Sequence, residues 1–285
     1  MSTAVALLLA AIVTGTAGSL IVGRIRWQGR SRRMRATLTA ARRPGGRLTY
    51  DSRETDDLPA PVQRYFRTVL QTGQPIVSTV HLRLAGRMNL GEVTPRWVPF
   101  HSTQLITTCP PGFDWEASLR IVPGLSVRVH DAYIAGEGIL RAELLSLIPV
   151  ADSHGTPAAA SGELLRYLAE AVWHPTSLLP SQGVRWEPVS DLVARATLTD
   201  RDTTVSLDFQ FDAAGCIASV RATARIRKVV NGVAASAPWT GRFWNYARRD
   251  GMLIPLEGEV AWELATGVVP YWRGMASEVE YEFVK

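Results

Sequence analysis

The sequence has few of the side-chain patterns that mark metal sites and common catalytic centres. Its two cysteines, Cys109 and Cys216, are far apart and match no CxxC or metal-ligand spacing. None of the five histidines forms an HExxH or HxH pair, and the sequence contains no GxSxG, GxGxxG or P-loop motif. We therefore predict neither a metal nor a cofactor, and a non-enzymatic role is favoured.

Acidic residues are absent from the first fifty positions. Nine of the 31 basic residues, and none of the 26 acidic residues, precede Asp51, so residues 51–285 carry a net charge of −4. A mildly acidic body is a poor match for a phosphate backbone. Nucleic acid is therefore not a predicted partner, although the whole chain has a net charge of +5.

Charge is also absent from residues 1–23, where Ala4 to Val22 is mostly apolar. About 20 residues at roughly 1.5 Å each span about 30 Å, the thickness of a bilayer core. The positive charges follow this stretch, which favours an uncleaved anchor over a cleaved signal peptide. We predict a transmembrane anchor over 1–23, a basic juxtamembrane segment and linker over 24–57, and a single β-rich domain over 58–285.

The arginines after the apolar stretch also predict orientation. Basic residues beside a membrane span favour the cytoplasmic side, so we expect a single-pass protein of the cell membrane with its main domain in the cytoplasm. If the domain is exported instead, Cys109 and Cys216 become candidates for a disulfide; otherwise they are two buried thiols. The arginines either contact anionic headgroups or serve only as the topology signal. The candidate membrane-surface residues are Arg24, Arg26, Trp27, Arg30, Arg32, Arg33 and Arg35.

Small residues recur at every fourth position of the apolar stretch: Ala11, Gly15, Ser19 and Gly23. They form one ridge of a helix that a second helix could approach closely, so self-association is possible through this ridge. The alternative is the ordinary abundance of small residues in such spans.

Beyond the linker, the hydrophobic pattern is mainly that of β-strands. Residues 62–70 show helical spacing, and so does the breaker-free segment 162–173, whereas 151–161 has the composition of a loop. Period-two alternation marks 205–211, and in the next run Val220, Ala222, Ala224 and Ile226 alternate with polar residues. Further strands are expected near 77–90, 97–108, 113–121, 126–134, 138–146, 184–190, 192–199, 239–248, 252–263, 269–274 and 279–283. We predict a mainly β fold, a large curved antiparallel sheet or half-barrel with about two packed helices.

Two groups of residues are candidates for function. Nine tryptophans either fill a large core or line an apolar pocket. On the helix at 162–173, one face carries Glu163, Arg166, Tyr167 and Glu170, with His174 just beyond. This face is either solvated or the polar rim of a cavity. His130 and Asp131 are adjacent on a strand and should point to opposite faces, so we interpret them as structural.

Several segments resemble a bacterial family that is known only as a domain of unknown function. They are LPAPVQRY at 58–65, FDW at 113–115, DAYIAGEG at 131–138, GELLRYLAE at 162–170 and VAW at 260–262. The strand-rich layout is also similar to that of the lipoprotein carriers LolA and LolB. That resemblance implies a curved antiparallel sheet that wraps helices and holds acyl chains, although those carriers work in the periplasm.

The leading hypothesis is a membrane-tethered, non-enzymatic domain that binds a lipid or other apolar ligand in the hollow of the sheet. Arg166 and His174 would contact a headgroup. One alternative is a structural or interaction module with a fully packed core, and another is an enzyme that uses Asp131, Glu163, Glu170 or His174. The candidate ligand-binding residues are Trp115, Asp131, Tyr133, Arg166, Tyr167, Glu170, Trp173, His174 and Trp262.

Overall fold

The fold was analysed in a computed structural model that describes residues 3–43, 46–91, 94–230 and 233–285; the side chains of 3–13, 228–230, 233 and 234 are not described. The helices are α1 (Thr3–Ala40), α2 (Ala60–Val69) and α3 (Pro157–Glu170), with short 3-10 turns at Ser52–Thr55, Ala171–Trp173, Pro175–Leu178 and Pro180–Gln182. The strands are β1 (Val77–Asn89), β2 (Trp97–Thr107), β3 (Gly112–Val122), β4 (Leu125–Ile134), β5 (Glu137–Leu144), β6 (Ile148–His154), β7 (Arg185–Ser190), β8 (Val193–Asp200), β9 (Thr203–Phe211), β10 (Ile217–Val230), β11 (Val233–Arg249), β12 (Met252–Leu264) and β13 (Gly267–Phe283).

These 13 strands of the described chain form one antiparallel sheet. Their order is β6-β5-β4-β3-β2-β1-β13-β12-β11-β10-β9-β8-β7, so each half of the chain is a meander. The two halves join where β1 pairs with β13, which is the longest-range strand pairing in the sheet. The mainly β, curved antiparallel architecture predicted from the alternation is confirmed.

One face of the sheet is apolar and surrounds a hollow, as β9 illustrates. Val205, Leu207, Phe209 and Phe211 are buried, while Thr204, Ser206 and Gln210 between them are exposed. Phe209 lies opposite Ala194 of β8 and Val220 of β10, so three neighbouring strands bury the same face. Burial of alternate side chains is what fixes the register of such a sheet.

Helix α3 lies in this hollow and contacts β5 on one side and β9 on the other. The Thr156 side chain accepts a hydrogen bond from the Ala159 N–H, and Pro157 occupies the first turn, so the helix begins five residues before the predicted 162. A Cβ at Gly138 of β5 would lie 2.3 Å from the Ala159 carbonyl carbon. Glycine at this position therefore allows α3 to approach the sheet.

The far ends of the two halves meet on the other side of α3. The Tyr133 hydroxyl, at the end of β4, donates a hydrogen bond of 2.8 Å to Asp200 Oδ2 at the end of β8. This contact joins strands that are nine positions apart in the order of the sheet. The hollow is therefore enclosed by sheet on most of its circumference.

Helix α1 packs on the outer, convex face of the sheet across β2, β3 and β4. Near its C-terminal end Leu38 packs with Leu105 and Ile134. Toward its N-terminus, a Cβ at Gly23 would lie 2.6 Å from Leu147 Cδ2, so the helix is in close contact with the β5–β6 turn. Residues 14–22 are exposed, which means that α1 leaves the sheet at Gly23 and extends past its edge.

Among the described residues, no helix is long and apolar enough to cross a membrane. The side chains of residues 1–13, about half of the predicted span, lie outside the described part of the chain, so the anchor stays a prediction. Of the small residues predicted to mediate self-association, Ala11 also lies outside the described side chains. Gly23 contacts the domain itself rather than a free surface, while Ser19 donates a hydrogen bond to the Gly15 carbonyl.

Candidate ligand-binding site

A cavity of about 80 Å³ lies in the hollow between α3 and the inner faces of β10–β13. Six of its lining residues are aromatic: Trp115, Trp173, Trp239, Phe243, Tyr271 and Trp272. At one end it is polar, with Asp131, Arg166, Glu170 and Arg225. A mostly apolar wall with a few convergent polar groups is the usual composition of a ligand site.

The polar end is assembled from three neighbouring strands and one face of α3. Gln104, Trp115 and Asp131 lie side by side on β2, β3 and β4, because each is paired with the next in the register of the sheet. Since side chains alternate between faces, all three belong to the inner face. On α3, Arg166 and Glu170 are one turn apart and face them.

Arg166 is the centre of this polar cluster, and its charge is compensated. Its Nη1 donates to Asp131 Oδ2 at 2.5 Å, and its Nε donates to Glu170 Oε1 at 2.7 Å. The guanidinium also lies over the rings of Phe113 and Trp115, at 4.9 and 5.0 Å. The predicted role of Arg166 as the cation for an anionic headgroup is therefore weakened, because two carboxylates already occupy it.

Glu163, one turn before Arg166, has a pKa raised well above its ordinary value. Burial is the main cause, followed by repulsion from Asp131, while Arg225 at 3.8 Å opposes both. Glu163 Oε2 and Asp131 Oδ1 are both buried acceptors that lack a donor. A proton on Glu163 provides that donor, and with Glu163 neutral the charges of Asp131 and Glu170 balance those of Arg166 and Arg225.

One donor in the wall has no acceptor. The indole N–H groups of Trp173 and Trp239 donate to the Pro255 carbonyl and to the Tyr271 hydroxyl, each at 2.9 Å. The indole N–H of Trp115 is buried and has no partner. Buried polar groups without partners are rare in native proteins and indicate a missing ligand or water.

A groove lies beside the cavity, at the end of the strands that contains the β12–β13 turn. This groove, of about 230 Å³, is lined by Leu90, Trp262, Val269 and Tyr271 among others. Tyr271 belongs to both walls, and its ring stacks on that of Trp262 with centroids 5.8 Å apart. The cavity and the groove are therefore neighbours on either side of Tyr271.

The structure brings together five of the nine predicted ligand-binding residues: Trp115, Asp131, Arg166, Glu170 and Trp173 line the cavity. Trp262 lies in the groove instead. Tyr133, Tyr167 and His174 line neither space, and Tyr133 is engaged with Asp200.

His174 is not suited to the predicted headgroup contact. It is fully buried, its ring lies 5.5 Å from that of Tyr167, and its Nδ1 is hydrogen-bonded to Ser177. Burial lowers the pKa of His174 to about 3, so the ring is neutral at physiological pH. A neutral, enclosed imidazole offers no charge to a ligand.

The sequence pattern placed Arg225 on the wrong face of β10. A β-bulge between Ala222 and Arg225 interrupts the pairing with β11, which turns Arg225 inward over Trp239 at 5.0 Å and leaves Ile226 exposed. The predicted alternation through Ala224 and Ile226 was therefore wrong. The apolar and polar residues alternate without a break from Val220 to Arg227, so no signal in the sequence marks the bulge.

Three of the predicted membrane-surface residues are instead engaged with the domain. Trp27 is fully buried, stacks on His130 at 4.6 Å and donates to Glu116 at 2.6 Å. Arg30 and Arg35 form ion pairs with Glu143 and Asp114, at 2.5 and 2.9 Å. These contacts hold α1 on the sheet. Four predicted residues remain exposed: Arg24, Arg26, Arg32 and Arg33.

Under α1, Ser31, His130 and Asp114 form a chain that has the order of a hydrolase triad. Ser31 Oγ lies 2.9 Å from His130 Nε2, and His130 Nδ1 lies 2.8 Å from Asp114 Oδ1. Acyl transfer also needs space for a reacting carbon about 3 Å from the serine and from oxyanion donors. Trp27 covers the fully buried His130, and Ser31 Oγ also donates to the Trp27 carbonyl, so we interpret the chain as a structural contact. As predicted, His130 and Asp131 serve opposite faces.

Among the described residues, no group of three or more His, Cys, Asp or Glu side chains is arranged to hold a metal ion. The two cysteines are free thiols, Cys216 buried and Cys109 half-buried.

Comparison with known proteins identifies a family but no activity. The model of a family described as "Family of unknown function (DUF6920)" matches residues 56–281. No curated protein matches the sequence.

Two solved structures are similar to the chain. One is a LolA superfamily protein from Nitrosomonas europaea, with 11% identity, a TM-score of 0.33, and coverage of 79% of this chain and 94% of that one. The other is a β-barrel-like protein of domain of unknown function DUF1849 from Brucella abortus, with 9% identity, a TM-score of 0.22, and coverage of 73% and 99%. At these TM-scores neither likeness carries an argument about function.

Proposed function

The chain belongs to DUF6920, a family of unknown function, and we propose from its own geometry that it is a non-enzymatic binding domain. Its ligand is an apolar molecule that bears a neutral oxygen atom. Membership of the family by itself indicates no activity. The ligand lies in the aromatic cavity between α3 and β10–β13. This is a membrane-tethered binding domain in which residues 1–23 are the anchor and the main domain is cytoplasmic.

The observation that carries the proposal is the unpartnered indole N–H of Trp115 in the wall of the cavity. A hydroxyl, ester or ketone oxygen on the ligand accepts its hydrogen bond. Away from the polar end, the wall has five further aromatic side chains, which suit an apolar body.

The balance of charge selects a neutral ligand over an anionic one. Arg166 is already bound by Asp131 and Glu170. An anion placed beside those carboxylates would lose its hydration and add an unbalanced negative charge, because Asp131 and Glu170 already balance Arg166 and Arg225, and such burial is costly. We therefore expect alcohols to bind in preference to carboxylates, contrary to the simple expectation from Arg166.

The size of the cavity limits which part of the ligand it holds. Cavities for drug-sized ligands usually measure about 300–1,000 Å³, whereas this one measures about 80 Å³. It accommodates the oxygen-bearing end of a molecule, and the remaining apolar part lies in the groove of about 230 Å³ beside Trp262.

The test compares three six-carbon probes: 1-hexanol, hexane and hexanoate. They are titrated calorimetrically into the full-length chain held in amphipol at pH 8. We expect 1-hexanol to bind about tenfold more tightly than hexane, which corresponds to about 1.4 kcal/mol. Hexanoate should bind more weakly than 1-hexanol.

Trp115→Phe keeps an aromatic ring beneath Arg166 but removes the N–H donor together with the five-membered ring of the indole. It should abolish the preference for 1-hexanol over hexane. The matched control is Trp186→Phe, because the Trp186 N–H is engaged with the Leu178 carbonyl. If no probe binds the wild type, the hollow is a packed core and the chain is a structural module.

A further inference from the structure

The end of the sheet where the groove lies differs from the opposite end in its exposed side chains. In the register, Phe100, Leu119, Val127 and Leu144 follow one another across β2 to β5, which places the β1–β2, β3–β4 and β5–β6 turns at one end. Trp272 pairs with both Met88 and Val260, so the β12–β13 turn lies at the same end. We call this end of the described sheet the apolar rim.

Large apolar side chains are exposed on all four of these turns: Leu90, Val122, Leu147 with Ile148, and Val268. Val268 and Ile148 are 62% and 58% exposed. At the opposite end, the described segments expose Val189 and Leu192 at the β7–β8 turn and Leu48 in the connection that precedes β1. Contiguous exposed apolar surface usually marks an interaction site.

The path of helix α1 indicates which partner covers the rim. It crosses the convex face from Leu38, beside the opposite edge, to Gly23, which contacts Leu147 in the β5–β6 turn. Its N-terminal part therefore projects past the rim, and the described side chains there, such as Leu20, Ile21 and Val22, are exposed. The projecting apolar part of α1 and the apolar rim therefore lie at the same end of the molecule and face the same direction.

From this continuity we infer that the apolar rim rests on the surface of the lipid bilayer into which the N-terminal segment inserts. Arg24 and Arg26 are exposed on α1 just below Gly23, at the level where lipid headgroups would lie. The turn side chains enter the interfacial region, where amphipathic and apolar groups partition.

This inference deepens the proposed function, on which its purpose rests. The groove beside Trp262 and Tyr271 opens at the same rim, between the β1–β2 and β12–β13 turns. A rim held on the bilayer lets an apolar molecule pass from the membrane into the groove without crossing water. The ligand class is then a neutral membrane lipid or another membrane-dissolved molecule.

The test measures the depth of single positions in the membrane. Full-length chains carrying Cys109→Ser and one new cysteine are labelled with a fluorophore and reconstituted into vesicles of phosphatidylcholine and phosphatidylglycerol that contain acyl-brominated lipid. Labels at Val268→Cys and Ile148→Cys should lose most of their fluorescence. The matched control is Ala213→Cys, an exposed position in the β9–β10 turn at the opposite end, which should lose none.

A second variant separates docking from simple tethering. Ile148→Asp combined with Val268→Asp should remove the quenching of a label at Leu90→Cys while the anchor stays inserted. Equal quenching at Ala213→Cys and Val268→Cys would overturn the inference. The inference would also be overturned if quenching were absent and energy transfer occurred between Val268→Cys labels on two chains. The rim would then pair with a second copy of the chain. Binding of 1-hexanol is measured on the same chains, so loss of docking with binding intact refutes only the docking.

Discussion

At the scale of single residues, the hollow contains one carboxyl group, that of Glu163, with an unusual protonation state. Glu163 is buried beside Asp131, and its pKa lies well above the ordinary value of 4.5. The folded chain therefore keeps a proton that the unfolded chain has released over the pH range above about 4.5. Stability from this group is fully present below that pH and is lost as the pH rises toward the raised pKa.

Glu163→Gln tests this directly, because an amide cannot ionise and can still donate to Asp131. We expect the free energy of unfolding of wild type to fall more steeply than that of the variant as the pH increases from 4.5 to 8. Urea unfolding at a series of pH values measures both slopes. Parallel curves would mean that Glu163 is ionised in the folded protein.

On the convex face, the carboxylate of Asp114 is fully buried and depends on Arg35 and His130. Arg35→Ala removes the arginine that pairs with Asp114, and it also removes a hydrogen bond of 2.8 Å to Thr103 Oγ1. We expect a loss of about 1–3 kcal/mol in the free energy of unfolding. Arg33→Ala, at an exposed position two residues away, should change it by less than about 0.5 kcal/mol. Similar effects for both variants would show that the Arg35 ion pair is not stabilising.

The site could be predicted from single residues only where local patterning was regular. Trp115 and Asp131 were predicted to share one site, and both line the cavity because β3 and β4 alternate without interruption through them. Arg225 was missed because a bulge reversed the alternation, and a bulge has no fixed sequence signal. His174 follows α3 closely in sequence, but a 3-10 turn at Ala171–Trp173 directs it away from the helical face on which it was placed.

At the scale of elements, strands and helices were predictable where one face is buried. The strand β6 was missed and its residues were assigned to a loop, because it lies at the edge of the sheet and most of its side chains are exposed. Without burial there is no alternation to read. The same limit explains the late start predicted for α3, whose first turn is partly exposed alanine.

The contact between α3 and β5 gives a matched pair of glycine variants. Gly138→Ala places a methyl group 2.3 Å from the Ala159 carbonyl carbon, so α3 must move away from β5. We expect a loss of about 1–3 kcal/mol in the free energy of unfolding. Gly162→Ala, inside α3, meets nothing closer than Arg225 Nε at 3.9 Å and should stabilise the chain by about 0.5–1 kcal/mol. Thermal unfolding of both variants checks the opposite signs, and two changes of the same sign would contradict the packing.

At the scale of the whole molecule, the β1–β13 pairing unites the two meanders into one sheet. Leu82 of β1 is buried and lies between Gln104 of β2 and Val279 of β13. Because α3 also contacts both β5 and β9, the two halves share a core as well as a seam, the β1–β13 pairing. We therefore expect the described domain to unfold as one cooperative unit.

Two proline variants test that unity. Leu82→Pro removes a backbone donor from the central strand and should lower the free energy of unfolding by about 3 kcal/mol or more. Val150→Pro lies on the edge strand β6, next to the native Pro149, where a proline is tolerated, and it should cost much less. Urea unfolding followed by far-ultraviolet circular dichroism and by tryptophan fluorescence should give coincident transitions for wild type and Val150→Pro. Separate transitions for the two signals would show that the meanders unfold independently and that the seam does not couple them.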